Sequence, residues 1–211
     1  MYYEPDAFPY LKDITRNYDT ILSEFLAVAD ERMKPMIDMH ITTTGWKGFP
    51  LMSSGYRFKQ NWVSCPKTTA IVENIPGLYA AGFYMLEPHT ELPAHNNFPM
   101  DIYRMHMGLI TPENCAFRVG KETKSWRKKE WLIFCPEVEH EGYNRADTRR
   151  VIFLIDVWKN PDRKPLRDRF LTWLGGVKIM ISGTALGRKF LQFVSTNRGA
   201  RRVVDWLTGR K

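Results

Sequence analysis

Three cysteines, Cys65, Cys115 and Cys135, form no even set and no Cys-x-x-Cys spacing, which argues against a disulfide framework and gives zinc-ribbon chemistry no support. No His-x-x-x-His pair occurs, so a helix-borne zinc protease site has no support either. Internal repeats and low-complexity tracts are absent. The opening residues Met1-Tyr-Tyr-Glu-Pro-Asp6 have neither the basic nor the apolar region of a secretory signal,. A reducing, cytoplasmic setting is therefore expected. Nucleic-acid binding is not expected, because no recognition module or stacking motif accompanies the basic charge.

An apolar content of 44%, with 13% aromatics, is that of a globular chain, and 211 residues suffice for one substantial core,. The net charge of +8 is unevenly spread. Residues 160–211 hold twelve Lys/Arg against three Asp/Glu, while residues 1–159 hold nineteen against twenty. Such asymmetry points to an anionic surface met by the tail rather than by the body; the bland alternative is a solvated tail that aids solubility. The tail also carries an apolar, Trp-containing run from Phe170 to Gly187, interrupted by Lys178 and four glycines. It reads as a basic amphipathic helical segment, on a membrane surface or packed on the body or a second subunit. The expected division is 1–160 for the body and 161–211 for this extension. Peripheral attachment to the inner face of a membrane follows from the same charge.

Residues 17–33 read as an amphipathic helix, with Ile21, Leu22, Phe25, Leu26 and Ala29 at helical spacing and Asn17 or Asp19 as candidate caps,. Residues 41–66 read as short strands and loops. From Leu78 onward the pattern is β: Leu78–Leu86, Asp101–Leu109, Ala116–Val119, Trp131–Phe134 and Val151–Trp158 are strand-length runs separated by Pro, Gly or Asn,. The expected fold is mainly β, a jelly roll of the cupin kind with a flanking N-terminal helix and a C-terminal helical segment.

Chemistry concentrates between Pro93 and Arg150. His95 and His106 flank Arg104, His140 follows, and Arg150 opens the run Val-Ile-Phe-Leu-Ile155. Imidazoles on separate β-segments can converge on a divalent metal, with arginines clamping a carboxylated cosubstrate beside it. Two first ligands compete. One is His95, with Asn97 two residues on; the other is His89-Thr90-Glu91, which would complete a two-histidine, one-carboxylate triad with His140,.

The landmarks Phe83, Pro88, His95, Arg104-Met-His106-Met-Gly-Leu109, Pro112, Trp126, Leu132-Ile-Phe134, His140-Glu141, Asn144 and Arg150-Val-Ile-Phe-Leu-Ile-Asp-Val-Trp158 resemble those of the aspartyl/asparaginyl β-hydroxylases and their bacterial relatives, which include the lipid A hydroxylases. Weaker matches at Phe8-Pro9, Gly45–Pro50 and Cys65-Pro66 extend the likeness upstream. The resemblance implies an iron(II)- and 2-oxoglutarate-dependent oxygenase on a double-stranded β-helix, hydroxylating a C–H bond. It implies that His95 and His140 bind iron and that His89 does not. It implies that Arg150 seats the distal carboxylate of 2-oxoglutarate while Arg104 and His106 meet its other end.

Departures from the family pattern are specific. Asn97 stands where relatives have Gly or Asp, as a weak neutral ligand or as a donor to iron-bound water. Tyr84 replaces a serine that helps hold the cosubstrate carboxylate, and Cys135-Pro136 replaces an acidic pair. Two functions are therefore carried forward. One is an active hydroxylase acting on a lipid-linked or membrane-surface substrate such as lipid A, or on an Asp or Asn side chain. The other is a degenerate member that keeps the fold as a binding or scaffold protein.

Overall fold

The computed structural model describes residues 1–36, 43–97 and 101–162, with isolated positions between 186 and 202. The expected C-terminal helical segment lies, apart from those positions, outside the described residues.

Two short helices begin the chain, α1 (Leu11–Arg16) and α2 (Tyr18–Arg32). Tyr18, Ile21, Phe25, Val28 and Ala29 form the buried stripe of α2, a helical repeat that faces the sheet beneath. Leu26, expected on that stripe, is 50% exposed. Asn17 precedes α2 without capping it; its side-chain amide donates back to Asp13 O in α1. The strands β1 (Lys34–Pro35), β2 (Trp46–Ser53) and β3 (Tyr56–Arg57) follow. Next come two helices that the sequence reading missed, α3 (Lys59–Ser64) and α4 (Pro66–Val72). Pro66 opens α4 where its missing N–H costs nothing. The backbone amides of Lys67 and Thr68 donate to the Glu24 carboxylate at 2.9 and 2.7 Å, which ties α4 to α2.

The remaining strands are β4 (Leu78–Leu86), β5 (Thr90–His95), β6 (Ile102–Ile110), β7 (Cys115–Val119), β8 (Glu122–Lys124), β9 (Trp131–Phe134), β10 (His140–Asn144) and β11 (Arg150–Trp158). They form a mainly β jelly roll of two sheets. The larger has the order β1-β2-β4-β11-β6-β9, with β3 on β2, and the smaller the order β5-β10-β7-β8.

All nine residues of β11 are buried, because both faces of the large sheet are covered. Val151, Phe153, Ile155 and Val157 face the helices, in one cluster with Phe25, Phe83, Met85 and Met105. Phe83 stands 5.3 Å from Phe25 and 5.4 Å from Phe153, ring to ring. The other parity, Ile152 and Leu154, meets Phe117, Val119, Leu132 and Phe134 between the sheets. Period two thus puts Arg150 and Asp156 in the same inward row, and that row is where a site can form.

Candidate active site

His95 and His140 end neighbouring antiparallel strands and stand opposite one another in register. The pairing shifts between His140 and Gly142, where three steps on β5 match two on β10. The extra residue reverses the parity of β5. Thr90 and Leu92 are buried, Pro93 and Ala94 exposed, and His95 turns back toward the interior, half-buried. Without that bulge His95 would face solvent. Its ring centroid lies 4.2 Å from that of His140, at an interplanar angle of 57°.

Both tautomers are fixed by the backbone. His95 Nδ1 lies 2.8 Å from Pro93 O and His140 Nδ1 lies 2.7 Å from Val138 O. A carbonyl only accepts, so each Nδ1 carries a proton, and in the neutral ring the lone pair then lies on Nε2. This is the arrangement in which imidazoles ligate metals, with the second nitrogen held by a backbone carbonyl. His140 is buried against Phe117 and Phe134, at 5.6 and 5.2 Å between centroids.

His106 enters from β6 on the opposite sheet. Its ring is buried among Phe134, Phe117 and Trp126, with centroids at 5.1, 5.2 and 6.3 Å. Burial first, then the charges of Arg104 and Arg150, hold its pKa well below the ordinary histidine value. It is therefore neutral at pH 7, and neither ring nitrogen has a hydrogen-bond partner.

Arg150 is only 3% exposed. Its guanidinium lies over the Trp126 ring at 4.2 Å, and its Nε and Nη1 have no partner. Burial pushes its pKa down to about 9, which still leaves a cation at neutral pH. Trp126 Nε1 is also without a partner. Each orphaned buried polar group costs about 1–3 kcal/mol, and more where it is charged. Five such atoms, two on the buried Arg150 cation and three beside it, fit a small ligand with carboxylate acceptors, and the two imidazoles of His95 and His140 nearby fit a divalent metal. Iron(II) and 2-oxoglutarate are thus compatible with the donors present.

At the other end of the inner row Arg104 is bound fork to fork by Asp156, with Nε and Nη2 donating to the two carboxylate oxygens at 2.8 Å each. Its Nη1 donates to Asn97 Oδ1 at 3.2 Å. The oxygen of Asn97 is therefore engaged by a guanidinium. Tyr84 is buried on β4; burial, with Asp156 adding and Arg104 opposing, pushes its phenol up to about 12. Its ionisation is thus coupled to the Arg104 end of the row.

The competing His-x-Glu reading does not assemble. His89 Nε2 pairs with Asp147 at 3.0 Å on the surface, and Glu91 takes Arg145 at 2.9 Å. Among the described residues no group of three or more His, Cys, Asp or Glu could hold a metal ion. Among the described residues His95 and His140 come together with no carboxylate completing a triad. A surface cleft of about 670 Å³ beside Tyr2, Tyr3, Lys124 and Trp131 contains none of these residues.

Two site residues were given no role by the sequence reading. Trp126 sits inside the basic stretch Lys124-Ser-Trp-Arg-Lys-Lys129, where an apolar ring among exposed charges is the visible signal. Asp156 is the lone carboxylate in β11, an otherwise largely apolar buried strand, and that mismatch marks it,.

Comparison with known proteins gives a consistent picture. Residues 15–160 match the family model described as aspartyl/asparaginyl beta-hydroxylase. The chain is 35% identical over 182 residues to an ornithine lipid ester-linked acyl 2-hydroxylase of Rhizobium tropici, covering 81% of this chain and 64% of that protein. It is 32% identical over 170 residues to the aspartyl/asparaginyl beta-hydroxylase of Homo sapiens, covering 76% of this chain and 22% of that protein. The chain thus spans less than two thirds of the length of either relative. Among solved structures, a Schizosaccharomyces pombe Cnp3 cupin domain aligns with 57% of this chain and 69% of its own, at TM-score 0.38 and 12% identity.

Proposed function

This chain belongs to the aspartyl/asparaginyl β-hydroxylase family, and on that premise we propose that it is an iron(II)- and 2-oxoglutarate-dependent oxygenase hydroxylating a C–H bond of a lipid-linked acyl chain. The observation that carries the reading is the set of partnerless buried nitrogens of His106, Trp126 and Arg150 beside the paired imidazoles. Nothing in a closed structural core requires five such atoms together, whereas a diacid seated against them supplies acceptors for the donors.

In this reading His95 and His140 hold iron through Nε2. Arg150 grips the distal carboxylate of 2-oxoglutarate with a planar fork that a lysine could not reproduce. Arg104 and His106 meet its other end. Neutral His106 has one N–H to donate and one lone pair to accept with. Phe117, Phe134 and Trp126 keep water from the buried half of the site, which strengthens each charged contact there. Bound iron supplies the dioxygen chemistry, and the chain supplies orientation and dryness. Tyr84 contributes a neutral hydroxyl beside Arg104, and Asn97 a neutral amide at the edge of the metal position.

The lipid-linked substrate is supported by the relative named as an acyl 2-hydroxylase of ornithine lipid and by the basic excess of residues 160–211. That support is for the acyl chain of a polar membrane lipid and does not single out lipid A. Among the described residues no helix is long and apolar enough to cross a membrane. Attachment to an anionic surface through the basic extension 161–211 is part of the proposal.

Succinate release from 2-oxoglutarate, with iron and ascorbate, tests the reading against ornithine lipid, lipid A and Asp- or Asn-containing peptides. Turnover raised by the lipid and absent in His140→Ala supports it. Iron-free protein after anaerobic loading, with no succinate in any arm, returns the chain to a scaffold role. Equal flotation with anionic vesicles of wild type and an Arg188, Lys189, Arg201 and Arg202→Gln variant would remove the membrane argument.

A further inference from the structure

A carboxylate that is 2% exposed in an apolar strand needs a reason, because burying a charge is costly unless it is paired and hydrogen-bonded. Asp156 meets that condition fully. It stands opposite Arg104 in the register of β11 and β6, and both its oxygens accept from the guanidinium at 2.8 Å. The fork of Arg104 is thereby fixed in plane before any ligand arrives. Burial alone would lower the pKa of Arg104, and Asp156 more than offsets it, so the guanidinium stays charged. The chain of contacts continues one residue further. Arg104 Nη1 donates to Asn97 Oδ1, and since a guanidinium only donates, the amide atom facing it is the oxygen. Asn97 is left with its NH₂ as the group it can offer elsewhere. Asp156 also cancels the charge of Arg104, so Arg150 is the uncompensated buried cation of the inner row.

We propose that Asp156 is the positioning residue of this site: through Arg104 it orients the guanidinium toward a cosubstrate carboxylate, and through Arg104 again it turns the Asn97 amide into a hydrogen-bond donor rather than a metal ligand. The proposal rests on the oxygenase reading. It gives the chain a buried carboxylate joined to Asn97 through Arg104, hydrogen-bonded on both sides of the guanidinium. Residue 97 and residue 156 then act as one unit, coupled through Arg104.

The test is a double-mutant cycle read by 2-oxoglutarate affinity, in full-length protein loaded with Mn(II) under argon. Arg104→Met and Asp156→Asn are each expected to weaken 2-oxoglutarate binding about tenfold or more, the usual scale for loss of an orienting partner. Metal affinity stays close to wild type in both. The double variant binds no worse than Arg104→Met, because Asp156 has nothing left to act through. Asn97→Asp places a carboxylate against Arg104, so 2-oxoglutarate binds more weakly while metal affinity barely moves. Asp156→Asn leaves Arg104 buried without its counter-charge and can fail to fold. Arg104→Met with Asp156→Leu keeps the strands apolar, and it should match Arg104→Met alone.

Three results would overturn the proposal: Asp156→Asn within about twofold of wild type for 2-oxoglutarate, Arg104 and Asp156 effects that multiply, or Asn97→Asp tightening metal at unchanged 2-oxoglutarate affinity. A readout independent of the cosubstrate is the side-chain amide resonance of Asn97 in metal-free protein. It shifts in both Arg104→Met and Asp156→Asn if the relay exists and in neither if it does not. A relay seen in those variant shifts, with wild-type protein that binds no 2-oxoglutarate, would sink the oxygenase reading and not the relay.

Discussion

Arg150 and His106 carry opposite burdens in the folded chain. Arg150 keeps its charge where charge is costly, and His106 gives its charge up. Replacing Arg150 with Met removes a buried cation whose Nε and Nη1 are without partners, so the ligand-free protein should gain about 1–3 kcal/mol while losing 2-oxoglutarate binding. Chemical denaturation and titration calorimetry on the same samples check both halves. A destabilised Arg150→Met would mean that packing on Trp126 outweighs desolvation. For His106 the folded pKa lies below the unfolded value. The unfolded chain therefore binds the extra proton, and the stability this neutral ring contributes is present above about pH 6.5. It is lost as pH falls below that, by about 1.4 kcal/mol per unit. Its imidazole resonances in the metal-free protein should show no titration midpoint near about pH 6.5, the ordinary histidine value; a midpoint there would contradict its burial.

Elements explain which parts of this site could be read from the sequence. The strands β4, β6, β9 and β11 are mostly apolar because the large sheet is covered on both faces, and their bounds were legible to within a residue or so. The two strands carrying His95 and His140 were not. Thr-Glu-Leu-Pro-Ala-His has a proline and a bulge, and His-Glu-Gly-Tyr-Asn is short, polar and broken by glycine. Neither shows an apolar/polar alternation in its residue types, although β10 alternates in burial, since function and a close approach decide the residues there. At Gly142 a Cβ would stand 2.8 Å from Phe117 Cδ2 and 3.2 Å from Trp126. The helices α3 and α4 were hidden by Trp, Thr and Pro, which read as loop material until tertiary contacts decide. Asn144 is the pin of the β10–β11 turn: the two N–H bonds of its amide nitrogen are shared among Leu86 O, Glu87 O and Thr148 O at 3.1, 3.0 and 2.8 Å. Asn144→Ala strands buried carbonyls and should cost about 3 kcal/mol, seen as a lower unfolding midpoint. A change under about 0.5 kcal/mol would show that the turn holds Arg150 in place by other means.

For the molecule as a whole, division of labour between two sheets organises the account. The large sheet packs its outer face on α1, α2 and α4 and holds Arg150, Asp156, Arg104 and His106 on its inner face, while the small sheet brings His95 and His140 to meet them. Phe83 joins helix to sheet at the centre of the outer face, and Phe83→Ala should cost about 3–5 kcal/mol without touching a site residue, as thermal melts can show. Read without the family, the sequence singled out His95, Arg104, His106, His140 and Arg150 but left His89 as a competing first ligand, and the resemblance decided for His95. Trp126 and Asp156 stood only among the landmarks of that resemblance, without a role, because their partners lie elsewhere in the chain. The measurement that bears most directly on the central claim is calorimetric titration of 2-oxoglutarate into anaerobic Fe(II)-loaded protein. The account predicts one equivalent bound only with metal present, abolished in Arg150→Met and lost together with the iron in His140→Ala. Binding that persists unchanged in Arg150→Met, or without metal, would contradict it.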